Sequence, residues 1–322
     1  MSDPVGPPQL AGDGAGVAVL IPCLNEESTV ARVVAGFRHA LPEAGIFVYD
    51  NGSTDKTAAV AERAGAVVRR EPRPGKGNVI RRMFADVDAE VYLLVDGDDT
   101  YDPALAPSMV QMLVDHQLDM VVACRRPDVD DDHAFPRGHT AGNVLFSKGI
   151  RMLFGGHFTD VFSGYRALSR RLVKSLPVHA KGFEIETELT AHAVQLQAAC
   201  AEVDGTYRSR VDGSDSKLRT WHDGFRILGV SLRLFKEMHP ARFFGVFFLL
   251  LTVAALALGL PVVDTYVHTG LVPRFPTAIL AAALQIVAFI CLTCGLILDS
   301  VARGRAEMRR LAYLQIGHSQ LP

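Results

Sequence analysis

Of two stretches near the C-terminus, FFGVFFLLLTVAALALGLPVV at 243–263 contains no ionisable side chain and FPTAILAAALQIVAFICLTCGLIL at 275–298 is likewise uncharged. As a helix, the shorter one reaches roughly 30 Å, the thickness of a bilayer's hydrocarbon core. A charge at the centre of such a span costs roughly 2.5–3.5 kcal/mol on insertion scales, so its absence from both is informative. The pattern predicts a helical hairpin in a membrane, with a pair of buried core helices as the alternative. HPAR before the first span and RGRAEMRR after the second are basic, whereas the joining DTYVHTGLVPR carries a single Arg. The positive-inside rule then places both ends in the cytoplasm and the joining loop outside. Just upstream, KLRTWHDGFRILGVSLRLFKEMHPARFF (217–244) mixes Trp221 and aliphatic residues with Lys217, Arg219, Arg226, Arg233, Lys236 and Arg242. That mixture suits amphipathic helices in an anionic headgroup layer, or a basic helix packed on its own domain.

The remainder has a different grammar. Strand signals at 17–22, 46–51, 66–70, 91–96 and 118–124 alternate with helical stretches at 27–40, 55–64, 76–86 and 103–115. Continuous apolar strands separated by helices imply an α/β fold with a mostly parallel, Rossmann-like sheet covered on both faces. At 322 residues and 49% hydrophobic, the chain can bury one large core or two modest ones. A formal net charge of −2 provides no general pull toward nucleic acid, so any attraction for anions is local and no nucleic-acid partner is expected. Residues 1–16 are Pro/Gly-rich without a basic start or apolar run, and read as a mobile tail rather than a signal peptide. The five cysteines do not form a disulfide framework, and Cys291 and Cys294 lie inside an apolar span where their spacing puts both on one helix face.

In parallel sheets ligands bind beyond the carboxyl ends of the strands. Here those ends read PCLNE (22–26), DNGSTD (50–55) and DGDDTYDP (96–103), so Glu26, Asp50 and Asp96 converge on one crevice. Clustered carboxylates repel unless neutralised, and a divalent cation is the economical solution. Asp96 and Asp98 form a D-x-D that can reach one hard, oxygen-preferring ion. Asp99 and Asp102 are weaker candidates, because TYDP also reads as a helix start. Capping of the following helix accounts for Asp55. EPRPGKGNVIRR (71–82) leads into a helix able to offer backbone N–H groups to an anion, though it is not a Walker A loop.

The ordered series IPCLNE, DNGSTD, GKGN, DGDD, SGYRAL and GSDSKL, followed by two apolar spans, resembles the inverting glycosyltransferases of family 2. More narrowly it is similar to the polyprenyl-phosphate branch, the dolichyl-phosphate mannosyltransferases and undecaprenyl-phosphate glucosyltransferases. The resemblance implies a GT-A fold that binds a nucleotide-diphosphate sugar and Mg²⁺ or Mn²⁺. Pro22, Leu24, Glu26 and Asp50 would line the nucleotide pocket, and Lys76 would join them on the donor side. Asp96 and Asp98 would hold the metal, with Thr100 where some relatives have a Gln ligand. Asn51 stands where many relatives have a second Asp, which leaves base recognition unassigned.

A lipid phosphate, with a second pKa near 6 by analogy with phosphoserine, is already an anionic nucleophile and needs no general base. It needs positive charge, and Arg125, Arg137 and Arg166 of SGYR are the candidates, with Lys217 of SKL beside the membrane. Asp160 and Ser163 would orient the acceptor. Glu184 and Glu188 share a helix face and are either acceptor-side carboxylates or solvated helix acids. The expected division is a tail (1–16), a catalytic domain (17–212, its halves meeting at 125/126), juxtamembrane helices (213–242), a hairpin (243–298) and a cytoplasmic tail (299–322).

The expected activity is metal-dependent transfer of a sugar to polyprenyl phosphate by a multi-pass protein of the inner membrane with a cytoplasmic catalytic domain. A homo-oligomer is compatible with the sequence. Transfer to a lipid-linked oligosaccharide or polysaccharide hydroxyl is a second reading, and a catalytically silent nucleotide-binding scaffold a third. On the hairpin reading, the protein stays with membranes through an alkaline carbonate wash and leaves them only in detergent; release by carbonate alone contradicts it.

Overall fold

Apolar runs and amphipathic stretches alternate in the chain, and they fold accordingly. The computed structural model describes residues 15–127, 158–182, 184–208, 229 and 232–317. The elements are β1 (Ala15–Cys23), α1 (Val30–Ala40), β2 (Gly45–Asp50), α2 (Thr57–Arg63), β3 (Val67–Arg70), α3 (Lys76–Asp86), β4 (Ala89–Leu94), a 3₁₀ turn (Pro103–Leu105) and α4 (Ala106–Asp115). They continue with β5 (Met120–Pro127), β6 (Arg166–Ser169), α5 (Arg170–Ser175), α6 (Ile185–Gln195), β7 (Cys200–Tyr207), α7 (Pro240–Thr269) and α8 (Phe275–Gln315). Two compact units result: residues 1–228 with 309–322, and residues 229–308.

The first unit is built on one seven-stranded sheet of order β3-β2-β1-β4-β6-β5-β7. β6 pairs antiparallel with both β4 and β5, and the other pairs are parallel. Ala18, Val19, Leu20 and Ile21 of β1 are fully buried at its centre. α1 turns Val30, Val33, Val34 and Phe37 inward, the i, i+3, i+4, i+7 stripe of a core-facing helix. The sheet is mixed through β6 alone, and β6 and β7 both carry weaker sequence signals than the rest. β6 has four residues, three of them inside the SGYRAL motif, and β7 (CAEVDGTY) is a half-polar strand at the sheet edge. Continuous apolarity marks the central strands and misses this edge.

The base of the unit is organised by Asp119, fully buried just before β5. Its carboxylate accepts from Arg171 Nη2 (2.9 Å), Ser169 Oγ (2.8 Å), the Ala199 N–H (3.1 Å) and Tyr313 Oη (2.6 Å). Tyr313 lies near the end of α8, and the Arg171 and Arg310 guanidinium carbons stand 4.5 and 4.9 Å from its ring centroid. The expected tail at 299–322 is therefore not separate from the hairpin helix. α8 runs unbroken to Gln315, and its last residues belong to the catalytic unit.

In the second unit α7 and α8 are apolar for 18 residues or more, and only 11% and 17% of those windows is buried. Core helices would be mostly buried, so that alternative is not met. Leu249, Leu250, Ile286 and Ile290 all face outward. α7 extends past the expected end at 263 to Thr269, passing Pro261 and stopping at Gly270 in the left-handed region. Thr252 and Gln285 join the two helices through a side-chain hydrogen bond of 3.4 Å. Of the expected juxtamembrane segment only 229 and 232–242 are described, and 232–238 is helical.

Burial by itself pushes the Asp119 carboxyl up, and its Arg171, Tyr313 and Ser169 hydrogen bonds outweigh that and hold it below the usual range. A depressed carboxylate stabilises the fold above its unfolded pKa, about 4, and that contribution fades as pH falls through the folded value. Asp119→Asn should cost about 3 kcal/mol at neutral pH and flatten the acid side of the stability curve. Unfolding midpoints of the detergent-solubilised protein from pH 3 to 7 measure both effects.

Candidate active site

β1 and β2 leave the sheet level with one another, and β4 ends beside them three residues earlier in the register. Cys23 is in register with Asp50, and Leu20 with Leu94, so the loops that follow open on one side of the strand-order reversal between β1 and β4. Cross-bonds knit the first two loops: Asn25 N to Ser53 Oγ (2.9 Å), Thr54 N to Asn25 Oδ1 (2.8 Å) and Glu26 N to Thr57 Oγ1 (2.8 Å). Along this edge Pro22 is half-buried, Leu24 exposed, and Glu26 and Asp50 buried. Asp50 accepts the Ser53 N–H (3.1 Å) and faces Arg70 Nε at 3.7 Å. Asp55 accepts from the N–H groups of Thr57 (2.9 Å) and Glu27 (3.2 Å), so it steadies the loops at the start of α2.

The third loop carries the D-x-D. Thr29 Oγ1 donates to the Gly97 carbonyl (2.7 Å) and ties the loop to the foot of α1. Asp98 is buried and accepts from the Thr100 hydroxyl at 2.7 Å. The hydroxyl expected as a third ligand is thus engaged in orienting Asp98. Asp99 sits in the left-handed region and pairs with Arg32 at 2.8 Å, while Asp102 caps the 3₁₀ turn by accepting from Ala104 N. Of the four acids in this stretch, Asp99 and Asp102 serve an ion pair and a cap, Asp98 is buried against Thr100, and Asp96 pairs with Lys76.

Lys76 stands between two carboxylates, 2.5 Å from Asp96 Oδ1 and 2.6 Å from Glu186 Oε1. Burial works against its ammonium, and the two acids outweigh burial and hold its pKa above the ordinary lysine value. Glu186, fully inside, is pushed up by burial, with Lys76 opposing. Glu186 escapes a reading that follows the 184/188 helix face. Its neighbours hold a loop instead: Glu184 Oε1 accepts from Lys181 N and Gly182 N, and Glu188 accepts from His179 N and Ala180 N. Acids at two-residue intervals on a helix point to opposite sides, so FEIETEL could have flagged its middle glutamate.

The GKG motif has a steric explanation. A Cβ on Gly75 would stand 2.0 Å from the Lys181 carbonyl oxygen, and one on Gly77 would stand 2.2 Å from that of Ala180. Gly75 also has φ of +116°. Asn51 completes the seat: its Nδ2 donates to the carbonyls of Glu71 (2.9 Å) and Arg73 (2.7 Å), and its Oδ1 accepts from Gly75 N (2.7 Å). An Asp at 51 has no N–H for the first two bonds.

Across the crevice Arg125 makes a forked pair with Asp160, at 2.7 Å from Nε and 2.8 Å from Nη2. Its pKa is raised because this partner overcomes burial. Ser163 Oγ donates to the Ala123 carbonyl (2.6 Å). The placement of Arg166 at the acceptor phosphate is corrected. Arg166 is fully buried and donates to the Ser163 carbonyl (2.8 Å), the Val161 carbonyl (2.6 Å) and Thr190 Oγ1 (2.9 Å), so it staples the loop from beneath. Arg137 and Lys217 lie outside the described residues.

Two carboxylates at a strand end suit a hard cation. The surroundings fit one, because Gly164 leaves space that a Cβ would fill at 2.5 Å from Asp96 Oδ2. A mixed sheet with a D-x-D loop at its strand-order reversal defines a GT-A-type glycosyltransferase. Residues 18–176 match the model of glycosyl transferase family 2, and the chain belongs to that family. It is 31% identical to glycosyltransferase AglJ of Haloferax volcanii over 93% of this chain and 98% of that one. It is 54% identical to protein RfbJ of Shigella flexneri over 38% and 95%, and 27% identical to a dolichyl-phosphate hexose transferase of Haloferax volcanii over 66% and 90%. Among solved structures it resembles glucosyl-3-phosphoglycerate synthase of Mycobacterium tuberculosis in complex with Mn²⁺ and UDP-glucose, with a TM-score of 0.56, 23% identity, and 68% and 79% of the two chains covered.

Gly77→Ala forces the 180–181 backbone away from the Lys76 turn. It should lower stability by about 1–3 kcal/mol and reduce turnover at least tenfold, as read by melting midpoint and initial rate. Wild-type values for both would contradict the steric argument.

Proposed function

We propose that the protein transfers a hexose from a nucleoside-diphosphate sugar to the phosphate of a polyprenyl lipid, with inversion, at the cytoplasmic face of a membrane. The observation that carries this reading is one chain joining a D-x-D crevice to two helices whose apolar windows are 11% and 17% buried. A crevice for a water-soluble donor on a chain shaped for lipid is what a lipid acceptor requires. The dolichyl-phosphate hexose transferase among the relatives supports the same acceptor class.

Asp96 and Asp98 are the residues to hold Mg²⁺ or Mn²⁺, which when bound offsets negative charge on the departing nucleoside diphosphate. Pro22, Leu24, Glu26 and Asp50 line the nucleotide side. Lys76 places a fixed positive charge beside Asp96, where the donor's pyrophosphate and sugar meet. A phosphate oxygen of the lipid attacks the anomeric carbon from the face opposite the leaving group. A new C–O bond forms as the bond to the nucleoside diphosphate breaks, and no proton has to be removed first. Arg125 contributes directed N–H donors more than net charge, because Asp160 neutralises it. Arg166 acts one step back, holding the 161–163 turn that carries Ser163.

Glu186 favours a second reading. A buried carboxylate with an elevated pKa at the crevice is the kind of group a hydroxyl acceptor uses as base. Product chemistry separates the two, since a glycosyl phosphate is labile to mild acid and a glycosidic bond is not.

Asp98→Asn should lower transfer of labelled sugar to undecaprenyl phosphate at least about a hundredfold. Chelation should do the same to the wild type, and added Mn²⁺ should restore only the wild type. Undiminished transfer by Asp98→Asn would show that the metal assignment is wrong.

A further inference from the structure

We propose that Arg309, in the last turns of α8, is a positioning residue for the donor side of the active site. It acts through His192 and Glu188 on the loop that seats Lys76, and the inference rests on the reading of Lys76 as a donor-side residue.

Arg309 Nη1 lies 3.0 Å from His192 Nδ1, and the other ring nitrogen, Nε2, lies 3.4 Å from Glu188 Oε1. The Glu188 carboxylate accepts the backbone N–H of His179 (2.8 Å) and of Ala180 (2.6 Å). The next residue, Lys181, accepts Gly77 N through its carbonyl at 3.2 Å, one residue beyond Lys76. Lys76 then reaches Asp96 and Glu186. Each contact in this series is a hydrogen bond or ion pair. Arg310 and Tyr313 fix the same turns by bonds to the Leu196 carbonyl and Asp119, so the guanidinium is presented from a held backbone.

A metal reading of this cluster fails on the same atoms. His179, Glu188 and His192 bring three ligand-type atoms within 4.8 Å of one another. A guanidinium only donates, so His192 Nδ1 accepts and Nε2 carries the hydrogen toward Glu188. A ring nitrogen that bears a hydrogen is not a ligand. Metal-bound histidines are moreover backed by carboxylates or carbonyls, and this one is backed by a cation.

The seat needs an anchor because its fit is close. Gly75 and Gly77 allow the 180–181 backbone to approach so tightly that no side chain fits between, and the loop that sets where Lys76 stands is held by Glu188 at 179–180 and by Glu184 at 181–182. If Arg309 is shortened, His192 loses the partner that orients its ring, and Glu188 loses an oriented donor. The sheet core and Asp96 itself are left in place.

The test uses the full chain in lipid nanodiscs, with Arg309→Ala and Arg309→Lys beside the wild type. UDP-glucose and GDP-mannose serve as donors and undecaprenyl phosphate as acceptor. Arg309→Ala should lower kcat/KM for the donor about tenfold, leave KM for the lipid and the melting midpoint unchanged, and be largely rescued by Arg309→Lys. Hydrogen exchange reads the positioning without substrate: residues 75–78 and 179–182 should exchange faster in Arg309→Ala, with β1 and β4 unaffected. Unchanged donor kinetics with unchanged exchange overturns the proposal. So does a defect confined to the lipid KM, or one that follows a fall in melting midpoint and is not rescued by Lys. If the wild type transfers no sugar from either donor, the functional reading falls, and the exchange experiment alone decides the role of Arg309.

Discussion

The site depends on placing several carboxylates at one end of a parallel sheet without letting their repulsion open it. Asp50, Asp96, Asp98 and Glu186 all lie at or beneath the crevice, and three of them are buried. At an effective dielectric of 20, unit charges about 4 Å apart interact by about 4 kcal/mol, so an unneutralised group of this kind would rival the stability of a whole domain. Lys76 answers part of the demand by touching two of the acids at once. The Thr100 hydroxyl and the Ser53 N–H answer more of it. What is left is a negative site at the mouth of a crevice, suited to a cation and through it to a diphosphate.

Holding Lys76 there sets the surrounding architecture. Two glycines, the Asn51 amide and the Lys181 carbonyl position the turn that carries it. Arg166 applies the same device beneath the 161–163 turn, directing its donors to backbone carbonyls and a threonine. Asp119 gathers β5, β6, α5 and the end of α8 into one buried knot. The crevice is thus bounded by loops, each fixed by a buried polar group with its partners in place, which is how a site on loops acquires precision.

Much of this was legible in the residues. The central strands announce themselves by continuous apolarity, and the polar residues that follow them, Glu26, Asp50, Asp96 and Asp98, stand at one end of the sheet. The GKG motif was legible as a feature, but its reason was not, because the close approach comes from a loop about a hundred residues away. Glu186 was hidden by helix geometry that favoured its neighbours. Arg166 was misjudged because an arginine in a motif suggests a ligand, whereas its burial follows from β6, a strand too short to be seen as a pattern. The docking of Tyr313 and Arg309 had no local signal, since it joins a basic tail to groups far earlier in the chain.

The most direct test of the central claim asks whether the Asp96–Asp98 edge brings a cation to the donor's pyrophosphate. Bound nucleoside diphosphate can be followed by phosphorus resonance while Mn²⁺ is added to the full-length protein in nanodiscs. The account predicts strong paramagnetic broadening of both phosphorus signals in the wild type and its loss in Asp96→Asn, with nucleotide still bound. Broadening that survives in Asp96→Asn, or bound nucleotide that Mn²⁺ never broadens in the wild type, would contradict it.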